Sequence, residues 1–309
     1  LRLYEIMNKV DDRLYHSFLT AYEATDKAIG QNAGLSEDFH LIRFFSTQLL
    51  ANCFPSDFES LRKIGLFPVV EAELELEYSL FFAKAGIYKM AYMCLRNFME
   101  LSLVCFHYML TSRKAMEWVI GEAPTPFKRQ ILAVLFESED FRELDQHIHI
   151  KQGIDEYYNK LSDICHTRGQ PCSHMALSKA NYPRFIEESL RDYVSCCKDV
   201  VDIVITCFVG VNPIILFPLP LEEKFGINGP LCGFLEEHET EKLRKLLKPD
   251  SLKTLLTYFE SHPGVVSLQE YFAGLPDITE EEFRKQLDDF DAFLKEMEAK
   301  NIQRDVPSD

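Results

Sequence analysis

Apolar positions spaced three and four residues apart dominate this chain, the pattern of helices that each bury one face. Leu3, Ile6, Met7, Val10 and Leu14 hold that spacing, and Phe39, Ile42, Phe45 and Leu49 resume it beyond a predicted loop at residues 30–36. Ser56 and Glu59 form a capping box for a short helix that Gly65 would stop. Residues 71–80 alternate strictly, Glu-Ala-Glu-Leu-Glu-Leu-Glu-Tyr-Ser-Leu, which is a strand signature. Glu and Ala are poor in strands, however, and Leu74, Tyr78, Phe81, Phe82 and Ala85 line up on a helical face, so helix is the reading here.

After Gly86 the spacing predicts one long helix over about residues 88–110, a break at Pro124 and Pro126, and helical stretches at 127–137 and 139–147. A further helix over about 152–167 carries Tyr157, Leu161, Ile164 and Cys165 on its apolar side, and Gly169-Gln170-Pro171 ends it. Another runs from Pro183 to about Val211, with Phe185, Leu190, Val194, Val201 and Val204 as core candidates. The last segment opens on the capping box Thr279–Glu282, and Phe283, Leu287, Phe290, Leu294 and Met297 follow heptad spacing. Fewer than three heptads are present, so packing on its own chain is the expected fate of that stripe. No sheet pattern competes. The predicted class is all-α, with an N-terminal helical extension at 1–70, a central bundle at 71–212 and a C-terminal helical region at 213–309.

Composition narrows the picture. The chain has 309 residues, 47% of them hydrophobic, which suits a folded core. Its formal charge of −16 excludes broad coating of nucleic acid or anionic membrane, because such binding grows with the phosphates neutralised. The longest apolar stretch, Val200 to Leu221, is interrupted by Asp202, Asn212, Pro213, Pro218 and Pro220, so it reads as a buried helix leaving through a proline-rich connection and not as a membrane span. Nine irregularly spaced cysteines, including the adjacent pair Cys196-Cys197, are expected to be reduced thiols in a cytoplasmic protein. No secretory leader is expected from the opening residues, and the start on Leu1 leaves room for a preceding segment.

Candidate chemistry is confined to two polar constellations inside apolar helices. Arg96 and Glu100 stand four apart in Arg96-Asn97-Phe98-Met99-Glu100, and Ser162 and His166 stand four apart in the stretch that ends at Arg168-Gly169. Ionisable groups on an apolar helix face are costly unless paired, hydrogen-bonded or used. Convergence of the two pairs on one site is therefore the leading expectation. Cys165, His166, Cys172 and His174 form a second grouping and His147 with His149 a third, but the irregular cysteine spacing argues against a structural zinc, and no metal or cofactor is expected. No Gly-rich phosphate loop and no Gly-x-Ser-x-Gly elbow is present.

The order and separation of Gly86, Tyr88, Ala91, Arg96 and Glu100, then Tyr158, Leu161, Ser162, His166 and Gly169, resemble the HEPN (higher eukaryotes and prokaryotes nucleotide-binding) superfamily of helical bundles. Its bacterial members carry an Arg-x-x-x-Glu step and a later Tyr-x-x-Leu-Ser-x-x-x-His. The resemblance implies a four- or five-helix bundle that dimerises, with metal-independent cleavage of RNA in defence or stress responses. It assigns catalysis to Arg96, Glu100, Ser162 and His166, and substrate contacts to Asn97, Tyr158 and Arg168. His166 would exchange protons, an arginine would face the crowded phosphate, and Ser162 would hold a phosphate oxygen or orient the imidazole. The usual motif of catalytic members, Arg, a polar residue, four further positions and His, is not kept: Ser102 stands where His is expected, and His107 lies further along. That departure leaves a second reading open, a catalytically silent bundle acting as an interaction or sensor module with a protein partner.

Overall fold

The computed structural model describes residues 2–52, 67–111, 115–179, 182–216, 220–226 and 237–304. Among them the regular structure is entirely helical, fifteen α-helices and two short 3-10 turns with no strand, so the chain is all-α. The capping box at Ser56 and Glu59, the stop at Gly65 and Pro218 lie outside the described residues, as do the side chains of Leu3, Ile6, Met7, Val10, Leu49 and Met297.

Helices α1 (Arg2–Gln31) and α2 (Ala33–Asn52) are separated by a single residue, Asn32, instead of the predicted loop at 30–36. Its side-chain oxygen accepts the N–H of Leu35 at 3.0 Å, so one N-cap replaces a longer connection. Helix α3 (Phe67–Lys84) settles the alternating stretch as helix. Its buried face, however, is Ala72, Leu76, Ser79, Leu80 and Ala83, whereas Leu74, Tyr78 and Phe81 of the expected face are 42%, 52% and 44% exposed. A sequence apolar at every second position offers a helix two apolar sides. The side with Ala72, Ser79 and Ala83 admits a neighbouring backbone closely, and it won.

That neighbour is α4 (Tyr88–Leu110), joined to α3 by a short turn. Gly86 in the turn has φ +71°, and a Cβ there would sit 2.4 Å from the carbonyl oxygen of Arg184, so only glycine fits. Beyond α5 (Ala115–Val119) come α6 (Lys128–Leu135), α7 (Glu139–Ile148), α8 (Ile150–Cys165), α9 (His174–Ser178) and α10 (Glu187–Val211). α4 is the axis of the fold, flanked by α3, α6, α8 and α10. Tyr88, Ala91, Leu95, Phe98, Met99 and Phe106 on it are sealed from solvent. Between α3, α4 and α10 a buried polar clasp forms: Ser79 Oγ donates to the Ala91 carbonyl at 2.7 Å and lies 2.7 Å from Tyr193 Oη.

The apolar run after Val200 is the second half of α10, buried from Val200 through Gly210. Among the described residues no helix is long and apolar enough to cross a membrane. Helices α11 (Leu221–Phe225), α12 (Glu237–Arg244), α13 (Pro249–Ser261), α14 (Pro263–Gly274) and α15 (Glu280–Arg304) complete the chain. One continuous apolar core reaches from Leu35 in α2 to Val265 in α14. The capping box forms, Thr279 N–H donating to Glu282 Oε2 at 2.9 Å and Glu282 N–H to Thr279 Oγ1 at 3.3 Å. The expected own-chain packing of the heptad stripe does not follow. Phe283 is half-buried, but Leu287, Phe290 and Leu294 are 50%, 57% and 43% exposed, because α15 leaves the body after its first turn.

Candidate functional site

The site grows from the spacing on α4. Arg96 and Glu100 are one turn apart, which places both on the flank that faces α8. The guanidinium meets the carboxylate in two parallel hydrogen bonds, Nη1 to Oε2 at 2.7 Å and Nη2 to Oε1 at 2.9 Å. From α8, Tyr158 and Ser162 reach across. Arg96 Nη2 also donates to Tyr158 Oη at 3.0 Å and Nε to Ser162 Oγ at 3.1 Å, while the Tyr158 hydroxyl donates to Glu100 Oε1 at 2.6 Å. Burial first, then the adjacent Glu100, raises the Tyr158 phenol above its ordinary range, with Arg96 pulling the other way. The Arg96 and Glu100 side chains are only 19% and 33% exposed.

Arg96, Glu100, Tyr158 and Ser162 are thus one closed network spanning two helices. Only one N–H of the guanidinium is left over. The positive charge is matched by Glu100 at the shortest available distance, a bidentate pairing that leaves little net field for an incoming phosphate.

His166 is outside it. The residue caps the C-terminal end of α8, its ring is exposed, and among the described residues no hydrogen bond links that ring to Arg96, Glu100 or Ser162. Its backbone N–H still closes the last turn of α8 on the Ser162 carbonyl at 2.9 Å, so the four-residue step is kept while the ring lies in solvent. Arg168 is also exposed, and its guanidinium pairs with Asp163 at 2.9 Å. Asn97 faces α3, where its amide donates to Glu75 Oε1 at 3.2 Å.

Beside the network lies a cleft of about 390 Å³ between α3, α4, α6 and α8, closed at one end by the 125–127 segment. Glu75, Asn97, Glu100 and Tyr158 border it, its floor is Leu101, Val104 and Ile131, and the Phe127 ring stands at the rim, 77% exposed. Lys128 pairs with Asp155 at 2.7 Å, with its ammonium 4.6 Å from the centre of the Tyr158 ring. Sequence reasoning found Asn97, Glu100 and Tyr158 but missed Glu75, Phe127 and Lys128. Glu75 was indistinguishable from its neighbours in an alternating run. Phe127-Lys128, directly after Pro126, was readable only as a helix start.

A second feature missed in the sequence is Lys89, buried at 8% exposure on α4. It donates to the Thr167 hydroxyl, just past the end of α8, where a cation also complements the negative end of the helix dipole. Burial, followed by the charge of Lys89, lowers the His174 imidazole below its ordinary value. Among the described residues no grouping of His, Cys, Asp and Glu can hold a metal ion. Cys196 and Cys197 are buried free thiols on α10, and burial is the main cause that pushes Cys196 up to about 11, so neither is an available nucleophile.

No protein-family model, curated protein or solved structure matches the chain.

Proposed function

We propose that this chain is a catalytically silent helical module of HEPN-like type that senses or binds a ligand through the cleft beside Arg96 and Glu100. The observation that carries the reading is the closed Arg96–Glu100–Tyr158–Ser162 network, with His166 outside it. Metal-independent RNA cleavage needs a base, an acid and a free positive charge around one phosphate. Here the guanidinium is spent on protein acceptors and the imidazole is a surface group. The network instead ties α4 to α8 and holds one wall of a cleft whose size, about 390 Å³, suits a small molecule.

Ribonuclease activity remains the second reading, favoured by the meeting of Arg96, Glu100, Tyr158 and Ser162 on one surface. The two readings separate in one assay. The chain is incubated with long unstructured RNA at neutral pH, with chelator and without. The silent module leaves the RNA intact. Cleavage that Arg96→Ala and His166→Ala each abolish would replace that reading with the enzyme.

A further inference from the structure

Two of the charges in the cleft have an ion-pair partner. Glu100 is neutralised by Arg96, and Lys128 by Asp155. Glu75 is not neutralised: among the described residues no cation lies within ion-pairing distance of it. Among the described residues its hydrogen-bond donor is the neutral Asn97 amide, and burial and then the Glu75 charge push the neighbouring Cys94 thiol up to about 12. Among the described residues the cleft therefore carries one uncompensated negative charge, on a half-buried carboxylate flanked by aliphatic side chains. A carboxylate in such surroundings is stabilised most by a cation that also brings apolar surface.

The aromatic lining points the same way. Ring faces attract cations, and the Tyr158 ring already draws two, Arg96 at 5.0 Å and Lys128 at 4.6 Å. Phe127 offers a second ring at the rim, exposed and, among the described residues, free of such a partner. Opposite it, Leu101, Val104 and Ile131 form a surface with no polar atoms beyond the backbone.

We infer that the cleft binds a small organic cation, an ammonium carried on an apolar or aromatic body. The ammonium sits on Glu75 and the amide oxygen of Asn97, and the body lies between Phe127 and the aliphatic floor. Phosphate-bearing ligands are disfavoured by the same charge. The inference rests on the sensing reading above and names its ligand class.

The test is a calorimetric titration of the full chain with three probes of one shape, phenethylamine, phenethyl alcohol and phenylacetate. The amine is expected to bind, the alcohol about tenfold more weakly, as an ion pair of about 1.4 kcal/mol implies, and the acid not at all. Glu75→Gln should lower affinity for the amine about tenfold while leaving the alcohol unchanged. Phe127→Ala, at an exposed ring whose loss leaves the core untouched, should weaken both. Equal binding of amine and alcohol by the wild type, undiminished amine binding by Glu75→Gln, or no amine binding at all would overturn the proposal. Those outcomes remove the ligand class only. Loss of the silent-module reading itself would come from RNA cleavage, a separate measurement.

Discussion

Tyr158 and Arg96 stand on different helices and share one carboxylate oxygen: the phenol donates to Glu100 Oε1 at 2.6 Å, the guanidinium at 2.9 Å, and the two donors are themselves 3.0 Å apart. Removing the hydroxyl leaves Arg96 and Glu100 paired along α4 and reduces their link to α8 to the Arg96–Ser162 hydrogen bond. Tyr158→Phe is expected to destabilise the fold by about 1.5–3 kcal/mol, the scale for a hydrogen bond to a charged group. Chemical denaturation measures it. In a double-mutant cycle with Glu100→Gln the two effects should be clearly non-additive, as they are for residues of one network.

Gly86 supplies a harsher prediction. Its φ of +71° and the 2.4 Å approach a Cβ would make to the Arg184 carbonyl combine left-handed strain with a clash against backbone, which cannot move aside like a side chain. Gly86→Ala should cost on the order of 3 kcal/mol or more. A melting temperature unchanged from wild type would show that the α3–α4 turn and the segment before α10 do not meet as described.

Glycine at 86 and the helix over 88–110 were legible because local chemistry decides them: a turn residue, then uninterrupted apolar spacing. The candidate site was legible in part for the same reason. Arg96 with Glu100 is a contact that the four-residue step fixes within one helix. What the sequence left open depends on where helices stop and which side they turn inward. His166, at the C-cap of α8, has its ring in solvent, and α3 buried Ala72 and Ala83 in preference to Leu74 and Tyr78 because close approach to α4 outweighed side-chain size. Glu75 entered the cleft through that same rotation.

Asp202 gives a pH signature. It is 5% exposed on α10, where it accepts the Lys248 N–H at 2.9 Å and the Ser251 hydroxyl at 3.2 Å, tying the start of α13 to the core. Burial raises its carboxyl above the ordinary value, with those hydrogen bonds and the Lys248 charge pulling against the rise. The native state therefore holds the proton more tightly than the unfolded chain. The stability this group contributes is fully present below the unfolded pKa and is lost as pH rises through the folded one. Asp202→Asn keeps an acceptor for Lys248 and abolishes that loss. Relative to wild type, the variant should gain stability as pH rises from about 4 to about 7, measured by urea melts. A difference that stays constant with pH would show that Asp202 ionises alike in both states.

The last prediction separates the two ends of α15. Its first turn and the residues just before it are held to the body by three contacts. The ring of Phe283 packs on Gly226, so closely that a Cβ there would lie 2.4 Å from it. Ile278 N–H donates to the Glu223 carbonyl at 2.9 Å, and Lys224 pairs with Asp277 at 2.7 Å. Beyond Phe283 the apolar positions face solvent, with Phe290 and Phe293 57% and 54% exposed. A heptad stripe normally marks buried positions, but burial requires a surface to meet, and among the described residues Leu287, Phe290 and Leu294 remain largely open. Phe283→Ala should therefore release the helix, accelerating amide exchange across residues 280–295 while the α4 core stays protected. Phe290→Ala should change stability by no more than about 0.5 kcal/mol, the range for exposed positions. Hydrogen exchange on both variants decides it. If Phe290→Ala loosens the helix as much as Phe283→Ala does, the stripe is buried in solution, and anchoring of α15 at its start alone is wrong.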